Sequence, residues 1–241
     1  DRKNQARQKQ QLKHQEKANA ISIFNGQNGA PRQVAIVPLS ANIDIPAVIR
    51  SLNESVDVPD NAYTDGLSRV RIDRFKQNIL YIPTSYELMN ALDVCRVADF
   101  VVLVLPTDVE VAEEGETLLR SIESQGISNV LVVAQGVDKL NPPKRRPQVI
   151  SSLKSYINHF FPSIEKVLSL DSRQECSNAV RGLCTATPKG IRWRDDRSWM
   201  LIQDIKWPES NGETVDNVIV TGVVRGKGLK ADRIVHIPRW G

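Results

Sequence analysis

From residue 33 onward the apolar positions fall into short β-rich runs separated by segments of helical periodicity. Val34 to Leu39 reads as a buried strand and Ile45 to Leu52 as the helix that follows it. Val70 to Ile72 and Ile79 to Ile82 predict two further strands, Tyr86 to Val97 a helix, and Phe100 to Leu105, stopped by Pro106, another buried strand. Glu113 to Gln125 predicts a helix whose first turn carries glutamates, where the helix macrodipole favours them. Asn129 to Ala134 is again a strand. The strongest helical pattern runs from Pro147 to Phe161, where Val149, Ile150, Leu153, Tyr156, Ile157, Phe160 and Phe161 recur on one face. Lys166 to Leu170 and Gln174 to Thr185 complete a last strand and helix. Strands that alternate with helices require crossover connections, so the expected class is α/β with a doubly wound, mostly parallel sheet covered on both faces.

Both ends depart from this pattern. Residues 1–20 hold five glutamines and one large apolar residue, Leu12, so they have nothing to bury on a core. Their Lys, Arg, Gln, Ala and Glu content still favours helix, with Lys9, Lys13 and Lys17 spaced along one face. After Pro188 the runs become β-like, and all four tryptophans lie there: Trp193, Trp199, Trp207 and Trp240. Trp199 to Trp207 and Val218 to Arg225 predict antiparallel strands, Gly226-Lys227-Gly228 a hairpin turn, and Ile234 to Ile237 the strand after it. So few strands cannot close a barrel, and the segment is expected to open one. The division is therefore a basic arm over 1–20, an α/β domain over 21–188, and the first part of an antiparallel β-barrel over 189–241.

Charge sharpens the division. The net charge of +4 resolves into +4 over residues 1–20, −3 over 21–185 and +3 over 186–241, so a mildly acidic body lies between basic ends. Contact with a polyanion is expected through those ends, from Arg2, Lys3, Arg7, Lys9, Lys13 and Lys17 in the arm and from Arg192 and Arg194 after the boundary. The arm by itself is equally readable as a solvated leader or an import signal. Cys95, Cys176 and Cys184 form no C-x-x-C pair and read as buried thiols of a protein from inside the cell. His14, His159 and His236 stand singly, so no metal site is expected. No apolar run approaches the ~20 residues of a spanning helix, so no membrane partner is expected. The chain opens at Asp1 without a methionine, as expected for a piece of a longer protein.

An α/β domain followed by a small β-barrel is similar in layout to the translational GTPases, which tells where nucleotide chemistry would stand. After the first strand a phosphate loop needs glycines that admit phosphates to backbone N–H groups, and a lysine. Here the chain reads Pro38-Leu39-Ser40-Ala41-Asn42-Ile43-Asp44, with neither. Ile82-Pro83-Thr84-Ser85 stands where D-x-x-G would orient Mg²⁺, and Gln135-Gly136-Val137-Asp138 where N-K-x-D would read guanine. A vestigial nucleotide site would retain Ser40 and Asp138. The plainer alternatives are a helix N-cap at Ser40 and a strand-end or turn aspartate at Asp138. Gly222, Gly226 and Gly228 lie between β-rich runs, so they read as a hairpin turn and not a phosphate cradle.

Particular stretches carry a closer resemblance. Arg2-Lys3-Asn4-Gln5-Ala6-Arg7-Gln8, Asn25-Gly26-Gln27-Asn28-Gly29-Ala30, Val97-Ala98-Asp99-Phe100-Val101-Val102, His159-Phe160-Phe161-Pro162-Ser163, Ile191-Arg192-Trp193-Arg194 and Val235-His236-Ile237-Pro238 resemble the Tsr type of pre-rRNA-processing proteins, within the Bms/Tsr family of small-subunit assembly factors. The resemblance implies a degenerate, GTPase-like domain that hydrolyses no GTP and needs no cofactor. It implies binding to small-subunit precursor rRNA, ribosomal proteins and other assembly factors, at the surface where a translational GTPase later docks. It also implies nuclear and nucleolar residence with passage to cytoplasmic late particles, further β domains beyond Gly241, and no homo-oligomer. Two other readings stay open on the residues alone: an active GTPase with an unorthodox site at Ser40 and Asp138, and a protein-binding adaptor whose α/β domain is only a scaffold.

Overall fold

The computed structural model describes residues 2–26, 29–59, 66–190, 194, 196–207 and 218–237, with the backbone alone at Lys13 and residues 16–21. The chain folds as two compact units, residues 1–189 and 190–241.

The first unit opens with a long helix, α1 (Arg2–Ser22), which has no acidic residue in its first turn and leaves Leu12 exposed. There follow β1 (Arg32–Pro38), α2 (Ile45–Glu54), β2 (Ser68–Ile72), β3 (Gln77–Pro83), α3 (Leu88–Val97) and β4 (Phe100–Pro106). The unit closes with α4 (Glu113–Ser124), β5 (Val130–Gln135), α5 (Arg146–Asn158), β6 (Val167–Ser169) and α6 (Arg173–Thr185). The strands form one six-stranded sheet in the order β2-β3-β1-β4-β5-β6. β2 pairs antiparallel with β3, and every other pair is parallel.

The uninterrupted apolar runs of β1, β3 and β4 follow from burial on both faces. Val34 and Ile36 of β1, Ile79 and Tyr81 of β3, and Phe100, Val102 and Val104 of β4 share one core with α2 and α6. The alternate residues Ala35, Val37, Leu80, Val101, Leu103 and Leu105 are buried too, on the opposite face of the pleat. The doubly wound, mostly parallel sheet expected from the sequence is therefore the fold of this unit.

Several expectations are corrected. The helix with the strongest apolar face ends at Asn158, and within it only Ile157 is fully buried. Phe160 and Phe161 are buried in the turn beyond it, where their N–H groups both donate to the Ile157 carbonyl. That turn redirects the chain to β6, so the tail of the sequence pattern belongs to the turn.

In the second unit, β7 (Ser198–Lys206) pairs antiparallel with β8 (Ile219–Gly226), with a register irregularity between Ile202 and Asp204. Among the described residues this ribbon is what stands where a barrel opening is expected. Gly222 and Gly226 do not form its hairpin turn. Both lie in β8, where a Cβ would collide with the Leu201 and Arg197 carbonyl oxygens respectively, so close backbone approach requires glycine there. Residues 234–237 carry no strand, and Ile234 and Val235 are exposed, because no described strand lies beside them to complete a ladder.

Candidate functional site

An open α/β sheet binds ligands beyond the carboxyl ends of its strands, where the winding reverses. Here that place is the end of β1, which has β3 on one side and β4 on the other. The loop leaving β1 is closed on itself. Leu39 N–H donates to the Val104 carbonyl at 3.0 Å, and Ser40 Oγ accepts from Asn42 N–H at 3.3 Å in a tight local turn. Ser40 is thus a turn residue and not the helix cap. The cap of α2 is Asp44, whose Oδ1 accepts from Ala47 N–H at 3.0 Å. At this helix end the anion is supplied by the chain itself.

Gln135, the last residue of β5, fastens that loop from the other side. Its Oε1 accepts from Asp44 N–H at 3.2 Å and its Nε2 donates to the Asp44 carbonyl at 3.2 Å, so one carboxamide satisfies both backbone groups of one residue. Thr107 Oγ1 donates to the Gln135 carbonyl at 2.9 Å and ties the end of β4 to the same point. On the α4 side Gly115 lies against Leu39, where a Cβ would come within 2.9 Å of the Leu39 carbonyl oxygen. In the sequence, position 135 stands only as a lost nucleotide contact. The available signal was an amide side chain at a strand end, able to donate and accept at once.

Asp138 lies in a 3₁₀ turn, Val137–Lys139, and its carboxylate is already engaged. Arg146 Nη1 stands 3.1 Å from Asp138 Oδ1, while Arg146 Nη2 donates to the Asp138 carbonyl at 2.6 Å. Asp138 N–H donates to Asp171 Oδ2 at 3.1 Å. Ser40 and Asp138 therefore take part in separate local networks, and Gln135 is the residue that joins the loops after β1 and β5. Nucleophiles are no better placed. Burial pushes the thiols of Cys95 and Cys184 up to about 12 and that of Cys176 up to about 11. Among the described residues no group of His, Cys, Asp and Glu is arranged to hold a metal ion.

The basic arm is built differently. Arg2, Lys3, Arg7 and Lys9 are exposed along α1, and the backbone of Lys13 and Lys17 continues the same helix. Where the arm enters the domain it is fixed. Phe24 is buried, with the Arg32 guanidinium 4.8 Å from its ring centre and 5.8 Å from that of Phe100. Arg32 Nε donates to Gln77 Oε1 at 3.1 Å, and Gln77 Nε2 donates to Asn25 Oδ1 at 3.1 Å. Of the two cations expected after the boundary, Arg192 lies outside the described residues. Arg194 is 6% exposed, with its guanidinium 5.4 Å from the Trp199 ring centre, so it serves packing and not surface contact. Lys139, Lys144 and Arg145, all exposed around the start of α5, are cations that the charge division of the sequence averaged away.

Comparison with known proteins gives this geometry its family. Residues 32–185 match the family model described as Tsr1, G-like domain, and residues 187–241 match that of the AARP2CN (NUC121) domain. The ribosome biogenesis protein tsr1 of Schizosaccharomyces pombe is 42% identical over the whole chain, which covers 30% of that protein. The pre-rRNA-processing protein TSR1 homolog of Dictyostelium discoideum is 29% identical over 63% of the chain and 18% of its own length. The human TSR1 homolog is 25% identical over 96% of the chain and 30% of its own length. The chain thus spans under a third of the length of these relatives. A β1 loop capped by its own aspartate, on a sheet wound in the order observed, is this chain's version of a G-like domain, and the chain belongs to the Tsr1 family.

Proposed function

We propose that the chain is the GTPase-shaped head of a non-enzymatic assembly factor for the small ribosomal subunit. The observation that carries the reading is the carboxamide clamp of Gln135 on Asp44, which occupies the loop where a nucleotide phosphate would sit. With no lysine or glycine in that loop, several kcal/mol of charge-assisted contact to phosphate would have to come from elsewhere. The residues present do not fit GTP or its Mg²⁺, and no step of the mechanism passes through them. The action is steric. A translation-factor shape parked on the immature subunit blocks joining and initiation until it leaves.

In this reading Arg2, Lys3, Arg7, Lys9, Lys13 and Lys17 grip precursor rRNA, with Arg192 adding to them and Lys139, Lys144 and Arg145 available at the other end of the strands. The arm enters at the amino ends of the strands and this second group lies beyond their carboxyl ends, so they address different stretches of RNA. β7 and β8 are the first strands of a β-barrel completed by the rest of a longer protein. Its partners are ribosomal proteins and other assembly factors, its place the nucleolus and then cytoplasmic late particles, and it acts without self-association. The names of the relatives, which concern ribosome biogenesis and pre-rRNA processing, support the reading. Isothermal titration with Mg²⁺-GTP tests it: no binding tighter than about millimolar, or ~4 kcal/mol, is expected. A micromolar constant that weakens on Asp138→Ala would favour an active GTPase instead.

A further inference from the structure

The first turns of α3 and α4 flank a groove of about 480 Å³. Tyr86, Leu88 and Leu118 give it apolar surface, and Glu87, Glu113 and Glu114 give it acidic groups, with no lysine or arginine in the lining. Leu88 of this lining is 38% exposed and its neighbour Met89 60%, and Val109, in the loop leading to α4, is 43% exposed. Among the described residues of the first unit the other exposed large apolar side chains are Leu12 and Ile23, both outside the α/β body. Exposed apolar residues gathered at one place mark a binding surface more strongly than single scattered ones do.

Glu113 and Glu114 have a structural role, since they stabilise the amino end of α4. That role does not use them up. Glu116 is paired with Arg120 in the next turn, whereas Glu87, Glu113 and Glu114 have no ion-pair partner among the described residues. Asp108 and Glu110, exposed in the loop before α4 beside Val109, extend the same negative field. Such a surface repels RNA phosphate and attracts a cationic chain that carries apolar side chains.

We propose that this groove is a protein-docking site for a short basic segment of a partner protein, one large apolar side chain seated against Leu88, Met89 and Leu118 and flanking Lys or Arg residues paired with Glu87, Glu113 and Glu114. The molecule then has two kinds of contact, an acidic-apolar face for protein and basic regions for nucleic acid. The inference does not depend on RNA binding by the arm.

The test uses the whole 241-residue chain and an array of fluorescein-labelled peptides of about 12 residues, with Lys and Arg around a central Leu, Ile or Phe. Anisotropy should give dissociation constants of roughly 10 to 100 µM for the best of them. Glu113→Lys with Glu114→Lys should weaken binding about tenfold or more, and so should Leu88→Ser with Met89→Ser. Replacing the central apolar residue of the peptide by Ser should do the same, and a single-stranded RNA of similar length should not displace the peptide. All four substituted side chains are exposed, so near-UV circular dichroism should stay native, and Leu88→Ser alone serves if the Leu88 and Met89 pair does not fold. The proposal is overturned if no peptide binds tighter than about 1 mM. It is overturned equally if peptides lacking the apolar residue bind as well, if the apolar substitutions change nothing, or if RNA displaces the peptide.

Discussion

Arg32 Nη1 donates to the Ala186 carbonyl at 2.6 Å, joining the first residue of β1 to the residue that ends α6. The same guanidinium reaches Gln77 at the start of β3 and the rings of Phe24 and Phe100. One side chain, 1% exposed, thus holds the root of the basic arm, the sheet and the end of the last helix of the unit. Arg32→Met should cost about 2 to 4 kcal/mol in urea unfolding, because it takes the donor from buried Gln77, breaks the tie to the Ala186 carbonyl and removes the cation from the buried rings of Phe24 and Phe100. Arg32→Lys should recover only part of this, since an ammonium cannot donate in two fixed directions from one plane. A loss below about 0.5 kcal/mol for Arg32→Met would show that the tie carries no weight.

The clamp between Gln135 and Asp44 makes a separate prediction. Gln135→Ala should speed amide hydrogen exchange at Asp44 by about tenfold while costing ~1 kcal/mol of global stability. Gln135→Glu is the sharper variant. Its carboxylate can still accept from Asp44 N–H, yet it cannot donate to the Asp44 carbonyl, and it sets a second negative charge against the backbone of an aspartate. It should therefore exchange at least as fast as the alanine variant. Exchange at Asp44 unchanged in both variants would mean that the loop is closed by its own turn alone.

Burial of the three thiols predicts a pH dependence with a definite sign. Folded values of about 12 for Cys95 and Cys184 and about 11 for Cys176 lie above the thiol's ordinary value, and burial is the leading cause in each. The folded state therefore holds these protons more tightly than the unfolded state does. Their contribution is complete below the ordinary thiol range near pH ~8.5 and is lost as pH rises from there through the folded values. Urea midpoints should be flat through neutrality and fall above about pH 9. A thiol reagent at mildly alkaline pH should label the native protein very slowly and all three cysteines in denaturant. Rapid native labelling would show that the helices over these thiols open easily.

The sheet was legible because β1, β3 and β4 are buried on both faces, and a run as short and β-branched as Phe100 to Leu105, stopped by Pro106, fits a buried strand better than a helix. The empty nucleotide motifs were legible because a missing lysine is a local fact. What stayed hidden depends on partners distant in sequence. Gln135 acquires its meaning from Asp44, 91 positions away, and Arg32 from Ala186, 154 positions away. Arg194 carries the same charge as the arm residues, and only the ring of Trp199 beside it shows that it is buried. The residues at 234–237 have the composition of a strand, but a strand needs a neighbour, and composition does not supply one.

The arm is where charge and structure can be separated most cleanly. α1 is helical over Arg2–Ser22, with no apolar stripe to dock it along the domain and with Leu12 exposed. Its cations, expected to meet phosphates, recur at helical spacing, so a run of phosphates can be followed without melting the helix. If four or five of them do so, the logarithm of affinity for precursor rRNA should fall with the logarithm of salt at a slope of roughly −3 to −4. Deleting residues 1–20 should flatten that slope strongly while base preference changes little, because phosphate contacts position a protein without specifying sequence. Replacing Lys9, Lys13 and Lys17 by Gln keeps a good helix former at each position and removes three charges, so it should reproduce much of the loss while circular dichroism of the arm is unchanged. The complementary variant, Lys139, Lys144 and Arg145 to Gln, should lower the slope by a smaller amount if the second group joins in, and independently of the first, since the two stand at opposite ends of the strands. A deletion of the arm that leaves both affinity and slope intact would make it a linker or an import signal and move the RNA contact to the cations around the start of α5.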